Sequence, residues 1–327
     1  MTGAPPPLVS FVVPVRDDAE NLGRCLASIR AVAAGAPIEI IVVDNGSRDG
    51  SAAVARAAGA TVLEAPGVPV AEARNRGAAA AGARLLAFVD ADHVIDAGWV
   101  GCAVENLDAP GVGAAGAPYV APGVTWVQRA YDRFRVRHPG PHPVDWLGSG
   151  NLAVRRDAFA AVGGFDRALE TCEDVDFCNR LRSAGYTIVS DQRMRSLHAG
   201  DPSTLRALFL GELWRGRDNL RATLRGPLTA RALPSVVIPV ADVAFLATCA
   251  AGAAAAPWLG PLPALGGVAG FLSLSLARAW VLSRRSAGRA WRDLPSTFTV
   301  ACVYDAARAL ALVARATHRV RREAGRP

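Results

Sequence analysis

The sequence predicts an α/β fold with a mainly parallel sheet, followed by a C-terminal helical membrane region. Three observations predict it. Short apolar, β-branched runs alternate with stretches of helical period over residues 8–89, the pattern of strands buried on both faces by connecting helices. Two of those runs end abruptly in carboxylates, at Asp44 and at Asp90-Ala91-Asp92, and the carboxyl edge of such a sheet is where ligands bind. Residues 234–256 and 262–282 are apolar stretches long enough to cross a bilayer, which takes about 20 residues each.

The elements follow in order. Leu8–Val15 reads as a strand, and Asp18–Val32 as a helix with Leu22, Cys25, Leu26 and Ile29 on one face. Ile38–Val43 is a second strand, ending in Asp44-Asn45-Gly46-Ser47. Gly46 permits a tight turn there, and Ser47 or Asp49 is placed to cap a helix over Asp49–Ala58. A short strand at Thr61–Leu63, a helix at Val70–Ala81 and a strand at Leu85–Val89 complete the alternation. From about residue 99 it loosens. Gly and Pro cluster at 110–123 and 139–143 and predict loops, followed by Trp146–Val154, a helical Arg155–Val162 and a helix over Glu173–Ala184. Trp126 and Trp146 could stack on a sugar or lipid, with core packing as the default reading. No GxGxxG follows the first strand; Pro14-Val15-Arg16-Asp17-Asp18 stands there instead, which argues against a nicotinamide-dependent oxidoreductase.

Charge divides the chain. All 36 basic residues are arginine, and residues 201–327 hold 17 of them against 7 Asp and Glu. A basic third of this kind suits nucleic acid or an anionic membrane surface. Its apolar runs decide for the membrane, so no nucleic-acid partner is expected. Residues 205–232 read as a basic juxtamembrane helix, and 233–327 as the membrane region. The spans 234–256 and 262–282 make a hairpin across the uncharged Pro257–Pro261, with Arg284, Arg285, Arg289 and Arg292 following. The positive-inside rule then places the tip outside and both ends in the cytoplasm. Asp242 inside the first span is costly in hydrocarbon, so it requires a partner or a segment that only dips in. Residues 294–322 are read as an interfacial amphipathic helix, because Asp305, Arg308, Arg315, Arg319 and Arg322 fall on one face. No signal peptide is read at the N-terminus. The six cysteines have no paired spacing and read as scattered small buried residues.

Aspartate is a poor strand former, and two together are costly to bury unpartnered. For Asp90 and Asp92 a hard divalent cation, Mg²⁺ or Mn²⁺, is the simplest partner, and such an ion suits a phosphate-bearing ligand. The plain alternative is a strand-end turn that caps the next helix. Asp44, at the neighbouring strand end, can accept a hydrogen bond from a base or ribose. Thr171, Glu173, Asp174 and Asp176 favour the first turn of a helix, where negative charge suits the dipole.

Pro14-Val15-Arg16, Val43-Asp44-Asn45-Gly46-Ser47, Ala73-Arg74-Asn75-Arg76-Gly77, Asp90-Ala91-Asp92, Gly148-Ser149-Gly150-Asn151 and Glu173-Asp174-Val175-Asp176-Phe177 occur in the order and spacing of family 2 glycosyltransferases. Over roughly residues 8–225 the chain resembles these inverting enzymes of the GT-A (Rossmann-like) fold. The resemblance implies a nucleotide-sugar-binding domain over 1–204. Pro14, Val15, Arg16, Asp44 and Asn45 would surround the donor's base, with Arg74 near the nucleotide. Asp90, Ala91 and Asp92 correspond to the DxD motif, Asp92 as the direct metal ligand and Asp90 nearer the ribose or sugar. His198 is a second candidate ligand, and the implied cofactor is Mg²⁺ or Mn²⁺, neutralising the leaving diphosphate. Gly148, Ser149, Gly150 and Asn151 would line the acceptor side. Asp174, beside Glu173, corresponds to the general base that takes the acceptor hydroxyl's proton, and two adjacent acids raise one pKa.

Processive members of the family carry a QxxRW motif that Glu212-Leu213-Trp214-Arg215-Gly216-Arg217 does not match, which implies transfer of a single sugar. Arg215 and Arg217 remain candidates for pyrophosphate or a lipid phosphate. Together with the hairpin, the resemblance implies a bacterial transferase anchored in the cytoplasmic (inner) membrane, facing the cytoplasm, with a lipid or lipid-linked acceptor. The alternative from a different class is a non-catalytic membrane-associated scaffold on the same fold. The intact set Asp44, Asp90, Asp92 and Asp174 speaks against it.

Overall fold

The computed structural model describes residues 6–33, 35–135, 137–227, 229–230, 232–284 and 290–314. The first elements are β1 (Val9–Val15), α1 (Ala19–Ala33), β2 (Ile38–Asp44), α2 (Ser51–Ala57), β3 (Thr61–Glu64), α3 (Val70–Ala80), β4 (Leu85–Val89) and β5 (His93–Ile95). Next come α4 (Trp99–Asp108), β6 (Val112–Gly116), α5 (Trp126–Asp132), β7 (His142–Pro143), β8 (Asn151–Arg155), α6 (Arg156–Ala161), α7 (Glu173–Ser183), β9 (Thr187–Ser190) and β10 (Ser196–His198). Helices α8 (Leu205–Arg215), α9 (Asn219–Arg225), α10 (Leu233–Leu259), α11 (Leu262–Arg284) and α12 (Ala290–Val313) follow. The described residues fall into two compact units, 6–122 with 137–200, and 123–135 with 201–314.

The first unit is an eight-stranded sheet in the order β3-β2-β1-β4-β8-β6-β9-β7. Strands β3, β2, β1 and β4 run parallel, and β8 is inserted antiparallel between β4 and β6. The apolar runs are continuous because both sheet faces are covered. Phe11 and Val13 of β1 pack with Leu22, Leu26 and Ile29 of α1 and with Trp99 of α4, while Val12 packs on the other side with Ala71, Ala73 and Ala78 of α3. Gly77 is what brings α3 so close, since a Cβ there would lie 2.3 Å from Val12 Cγ1. Connections leave β1 toward β2 on one side, and β4 joins on the other. The carboxyl ends of β1, β2 and β4 therefore open onto a switch point, the place where open α/β sheets bind ligands.

Two expectations are corrected here. The 110–123 stretch is not all loop, because Val112–Gly116 is a buried central strand. Its glycines are demanded by close approach: a Cβ at Gly113 would meet the Tyr186 ring at 2.8 Å, and one at Gly116 would meet Asn151 O at 2.3 Å. The N-cap of α2 is Gly50, in the left-handed region, and neither Ser47 nor Asp49 takes that position; Asp49 instead accepts the N–H of Ser51, the first helical residue, at 3.1 Å.

The second unit is helical, and α5 belongs to it although its sequence lies within the stretch expected to be the first domain. Its three long helices α10, α11 and α12 are each long and apolar enough to cross a membrane. Helices α10 and α11 form the expected hairpin, closely packed through small residues. A Cβ at Gly252 would meet Ala264 N at 2.4 Å, and one at Gly267 would meet Cys249 N at 2.5 Å. The expected partner for Asp242 does not materialise. The residue is fully buried, and neither carboxylate oxygen has a hydrogen-bond partner among the described residues. Arg278 instead pairs with Asp305 at 2.9 Å, and Ser275 donates to the same carboxylate.

The basic helix expected over 205–232 breaks at Gly216 into α8 and α9; a Cβ there would lie 2.6 Å from Ala311 Cβ of α12. The expected outward polar face of α12 is also corrected. Asp305 points to α11, and Arg308 reaches Glu212 of α8 at 2.8 Å, because buried charges pair rather than face an apolar surround. Arg315, Arg319 and Arg322 of that expectation lie outside the described residues. Trp126 and Trp146, read as core, are each about half exposed.

Candidate active site

At the switch point, two loops are stitched together. Asp17 N–H donates to Ser47 Oγ at 3.0 Å, and Arg48 N–H donates back to the Asp17 carboxylate at 2.7 Å. Ala19 N–H, at the start of α1, donates to Asp49. Asp17 sits at φ 52°, a left-handed conformation that costs a non-glycine residue about 1 kcal/mol or more. The buried Asp44 carboxylate accepts from Ser47 N–H at 2.9 Å and from its hydroxyl at 2.5 Å. Asn45 donates its side-chain amide to Val68 O at 2.8 Å, while its buried Oδ1 has no donor among the described residues. Val15 is a core residue and Pro14 is half-buried, while Arg16 is exposed with its Nε 3.9 Å from the Asp17 carboxylate.

The second cluster is built by a two-stranded antiparallel ladder. Strand β5 begins immediately after Asp92 and pairs with β10 so that His93 faces His198 directly. One ligand atom from each of Asp92, His93 and His198 lies within 4.8 Å of the others. His198 Nε2 is 3.1 Å from Asp92 Oδ2. His93 Nδ1 meets Ser196 Oγ at 2.9 Å, which fixes the ring. Tyr119 stacks edge-on against both imidazoles. Burial raises the affinity of Asp92 for a proton, but His198 and His93 more than reverse this and hold the carboxyl well below the usual range. Gly200 leaves the space beside them, since a Cβ there would stand 2.3 Å from Asp92 Oδ2 and 3.1 Å from His198 Nε2. One carboxylate and two imidazoles around a glycine cradle fit a divalent metal, and the nitrogen content favours Mn²⁺ over Mg²⁺. Ala91 points into the core, which is why the two aspartates flanking it face out together.

The third cluster joins residues distant in sequence. Pairing of β4 with β8 sets Val89 opposite Asn151, so residues 148–150 lie against Asp90, whose N–H donates to Gly150 O. A Cβ at Gly150 would meet Asp90 Oδ2 at 2.6 Å. Helix α7 starts after Cys172, held at φ 58°, and puts Glu173, Asp174 and Asp176 in its first turn. Arg74 of α3, 3% exposed, donates to Glu173 Oε1 at 2.7 Å and to Asp90 Oδ1 at 2.6 Å. Ser149 Oγ lies 3.4 Å from the same Glu173 oxygen. Burial and then the charge of Glu173 push Asp174 up to about 7.

Arg74 therefore sits beside the donor motif as expected, but its guanidinium is engaged by two carboxylates. Asn151, expected on the acceptor side, is tied into the framework: its amide donates to Ala117 O and Met194 O, and its Oδ1 accepts from Trp99 Nε1. The expected phosphate candidates lie in the second unit. Arg215 there pairs with Glu212 at 2.7 Å, and Arg217 packs over the Trp214 ring. His93, Tyr119 and Ser196 escaped the sequence reading. For His93 the signal was present, as it directly follows Asp92.

Residues 10–163 match the family model described as glycosyl transferase family 2. The glycosyltransferase AglE of Haloferax volcanii is 28% identical over 60% of this chain and 68% of its own. A pre-mycofactocin glycosyltransferase of Mycobacterium tuberculosis is 32% identical over 54% of this chain, which spans only 39% of that relative. An N-acetylglucosaminyl-diphospho-decaprenol L-rhamnosyltransferase of the same species is 39% identical over 31% of this chain and 38% of its own. Among solved structures, the mannosyltransferase PcManGT of Pyrobaculum calidifontis, in complex with GDP-Man and Mn²⁺, aligns with a TM-score of 0.62 at 17% identity, covering 95% of this chain and 88% of that one. TarS 1-349 of S. aureus aligns at 0.51 and 13% identity, covering 92% and 90%. These likenesses confirm the GT-A architecture. Over residues 10–163 the chain matches glycosyltransferase family 2, and both AglE and the pre-mycofactocin enzyme are glycosyltransferases.

Proposed function

We propose that the protein transfers a single sugar, with inversion, from a nucleotide diphosphate sugar to the hydroxyl of a lipid or lipid-linked acceptor at the cytoplasmic membrane face. The observation that carries this reading is the convergence of the metal-type trio Asp92, His93 and His198 with the acid pair Glu173 and Asp174 on one sheet edge. Asp92, His93 and His198 would hold the metal. When bound, a divalent ion there supplies charge neutralisation on the departing diphosphate. Asp44 and Asn45 orient the base through the stitched loop pair, with the orphaned Asn45 Oδ1 as an acceptor for a donor N–H or hydroxyl. Asp90 stands beside the sugar. Asp174 takes the proton of the attacking hydroxyl as the new C–O bond forms and the C–O bond to phosphate breaks. A base with a pKa near 7 is matched to neutral operation.

The membrane part rests on the hairpin α10–α11 and on the outward apolar side chains along it, including Trp258 at its tip. Helix α12 is read as interfacial. Its flank carries α8, with Glu212 and Arg215, from Val300 to Ala311, and such a charged partner is incompatible with a lipid-surrounded span. The lipid-linked acceptor draws support from this anchor and from the decaprenol-linked acceptor in the name of the rhamnosyltransferase relative. The absent QxxRW motif supports transfer of one sugar.

The test is turnover by the full chain in detergent, with nucleotide sugars, Mn²⁺ and polyprenyl phosphate or diphosphate acceptors. Product of inverted anomeric configuration, lost in Asp174→Asn, is expected. Product of retained configuration, or an undiminished Asp174→Asn enzyme, contradicts the reading.

A further inference from the structure

We propose that Arg74 is a positioning residue for the base: by holding Glu173 as a carboxylate, it leaves Asp174 as the member of the acid pair that takes the acceptor's proton. This rests on Asp174 being the base of the reaction proposed above.

The geometry separates the two acids. Glu173 is buried and bound by a guanidinium nitrogen at 2.7 Å, with Ser149 Oγ at 3.4 Å on the same oxygen. Among the described residues no arginine is hydrogen-bonded to Asp174; its Oδ1 accepts the N–H of Val175 at 2.8 Å, in the first turn of α7. The Arg74 guanidinium nitrogen on Oε1 commits the Glu173 carboxyl to an ion pair and a charge-assisted hydrogen bond. That fixed charge, added to burial, is what makes Asp174 hold a proton up to near neutrality. The charged groups reaching Asp174 are Glu173 on its own helix and Arg74 from α3. Gly148 and Ser149 bring no charge from the loop before β8, and the Cys178 thiol one turn along α7 is pushed up to about 12 by burial and stays neutral. Without the arginine, two adjacent buried acids would share one proton with nothing to assign it.

Arg74 does a second thing with the same group. Its other terminal nitrogen holds Asp90 of the donor motif at 2.6 Å, and its Nε has no acceptor among the described residues. One side chain thus anchors both the carboxylate beside the donor and the carboxylate beside the base, 16 and 99 residues away. Gly77, one turn further along α3, keeps that anchor in register with the sheet. In the transfer step the hydroxyl proton goes to Asp174, the hydroxyl oxygen bonds the anomeric carbon, and the electron pair of the broken bond leaves with the diphosphate. Arg74 and Glu173 exchange no proton.

The experiment is the pH profile of kcat for the full chain with donor, Mn²⁺ and acceptor, in wild type, Glu173→Gln, Arg74→Gln, Arg74→Lys and Asp174→Asn. Glu173→Gln keeps the shape and a hydrogen bond to Arg74 but removes the charge, so the acid limb moves to lower pH by about one unit. Arg74→Gln moves it the other way, and Arg74→Lys, which retains the charge, falls between. A purely structural role for Arg74 lowers activity without moving the limb. An unmoved limb in Glu173→Gln overturns the inference even if Arg74→Gln fails to fold. An active Asp174→Asn overturns the base assignment instead, so the two failures are distinguishable.

Discussion

Each unit buries an ion network around one kind of centre, and the two are opposite in balance. In the first unit a single guanidinium, Arg74, faces the carboxylates of Asp90 and Glu173, with Asp174 adjacent. In the second a single carboxylate, Glu212, faces Arg215 at 2.7 Å and Arg308 at 2.8 Å, and accepts the Tyr131 hydroxyl at 2.5 Å. The second network has more donors than acid, so Glu212 is pinned: burial raises its pKa, but Arg308 and Arg215 bring it down to about 2. The first has surplus acid, so one carboxyl is left with a proton affinity near neutrality. Excess cation around a buried acid makes a structural joint, here tying α5, α8 and α12 together. Excess acid around a buried cation makes a site that can move a proton.

Substitution should therefore separate the two networks by what each loses. The largest effect is expected for Asp174→Asn, which should reduce kcat by about 10²–10⁴-fold while the protein remains folded. A fall in folding yield matching the fall in activity would erase the contrast. Glu212→Ala should do the reverse. It removes the buried acid that Arg308 and Arg215 share and is expected to cost about 3–5 kcal/mol in unfolding, with the acid limb of the kcat profile unmoved in the protein that remains folded. Ser196→Ala removes the hydroxyl that orients His93 and should weaken Mn²⁺ affinity by roughly 10–100-fold in a titration, without the stability loss of Glu212→Ala.

The smallest effect is the pH dependence of stability, and its sign differs between the units. Asp174 is raised, so its contribution is full below the unfolded value of 3.8 and is lost as pH rises through about 7. Glu212 is lowered, so its contribution is present above 4.5 and is lost as pH falls toward 2. The melting temperature of Asp174→Asn should gain on wild type as pH rises from roughly 4 to 7, whereas Glu212→Gln should lose most of its deficit on acidification. Equal slopes in both variants would show that the two acids are not opposed as described.

The legible part of the molecule was the part where local pattern and global fold agree. Strand β4 was read over its observed bounds, Leu85–Val89, because both of its faces are buried and every residue is apolar. The Asp90, Asp92 and Glu173-Asp174 motifs were legible because carboxylates at strand and helix ends stand out against apolar runs. Strand β6 was not legible. Its Val-Gly-Ala-Ala-Gly composition reads as a loop, and the reason for its glycines, Tyr186 and Asn151 pressing on them, is tertiary. Likewise β5 and β10 are three residues each and exist through pairing with each other, so neither the pairing nor the resulting place of His93 has a local period to announce it. Asn151 shows the converse. Its motif stood out in the sequence, yet its amide serves the framework, because the register with Val89 turns it toward Trp99 and Met194.

The most direct measurement is calorimetric titration of the full chain with nucleotide diphosphate sugars, with and without Mn²⁺, in wild type and Asp92→Asn. The account predicts that one donor binds wild type tightly only when Mn²⁺ is present, and that Asp92→Asn abolishes the metal-dependent gain while Asp90→Asn retains more of it. Donor binding of equal affinity with and without the ion, or a gain untouched by Asp92→Asn, would contradict the assignment of Asp92, His93 and His198 as the metal centre of a sugar-transfer site.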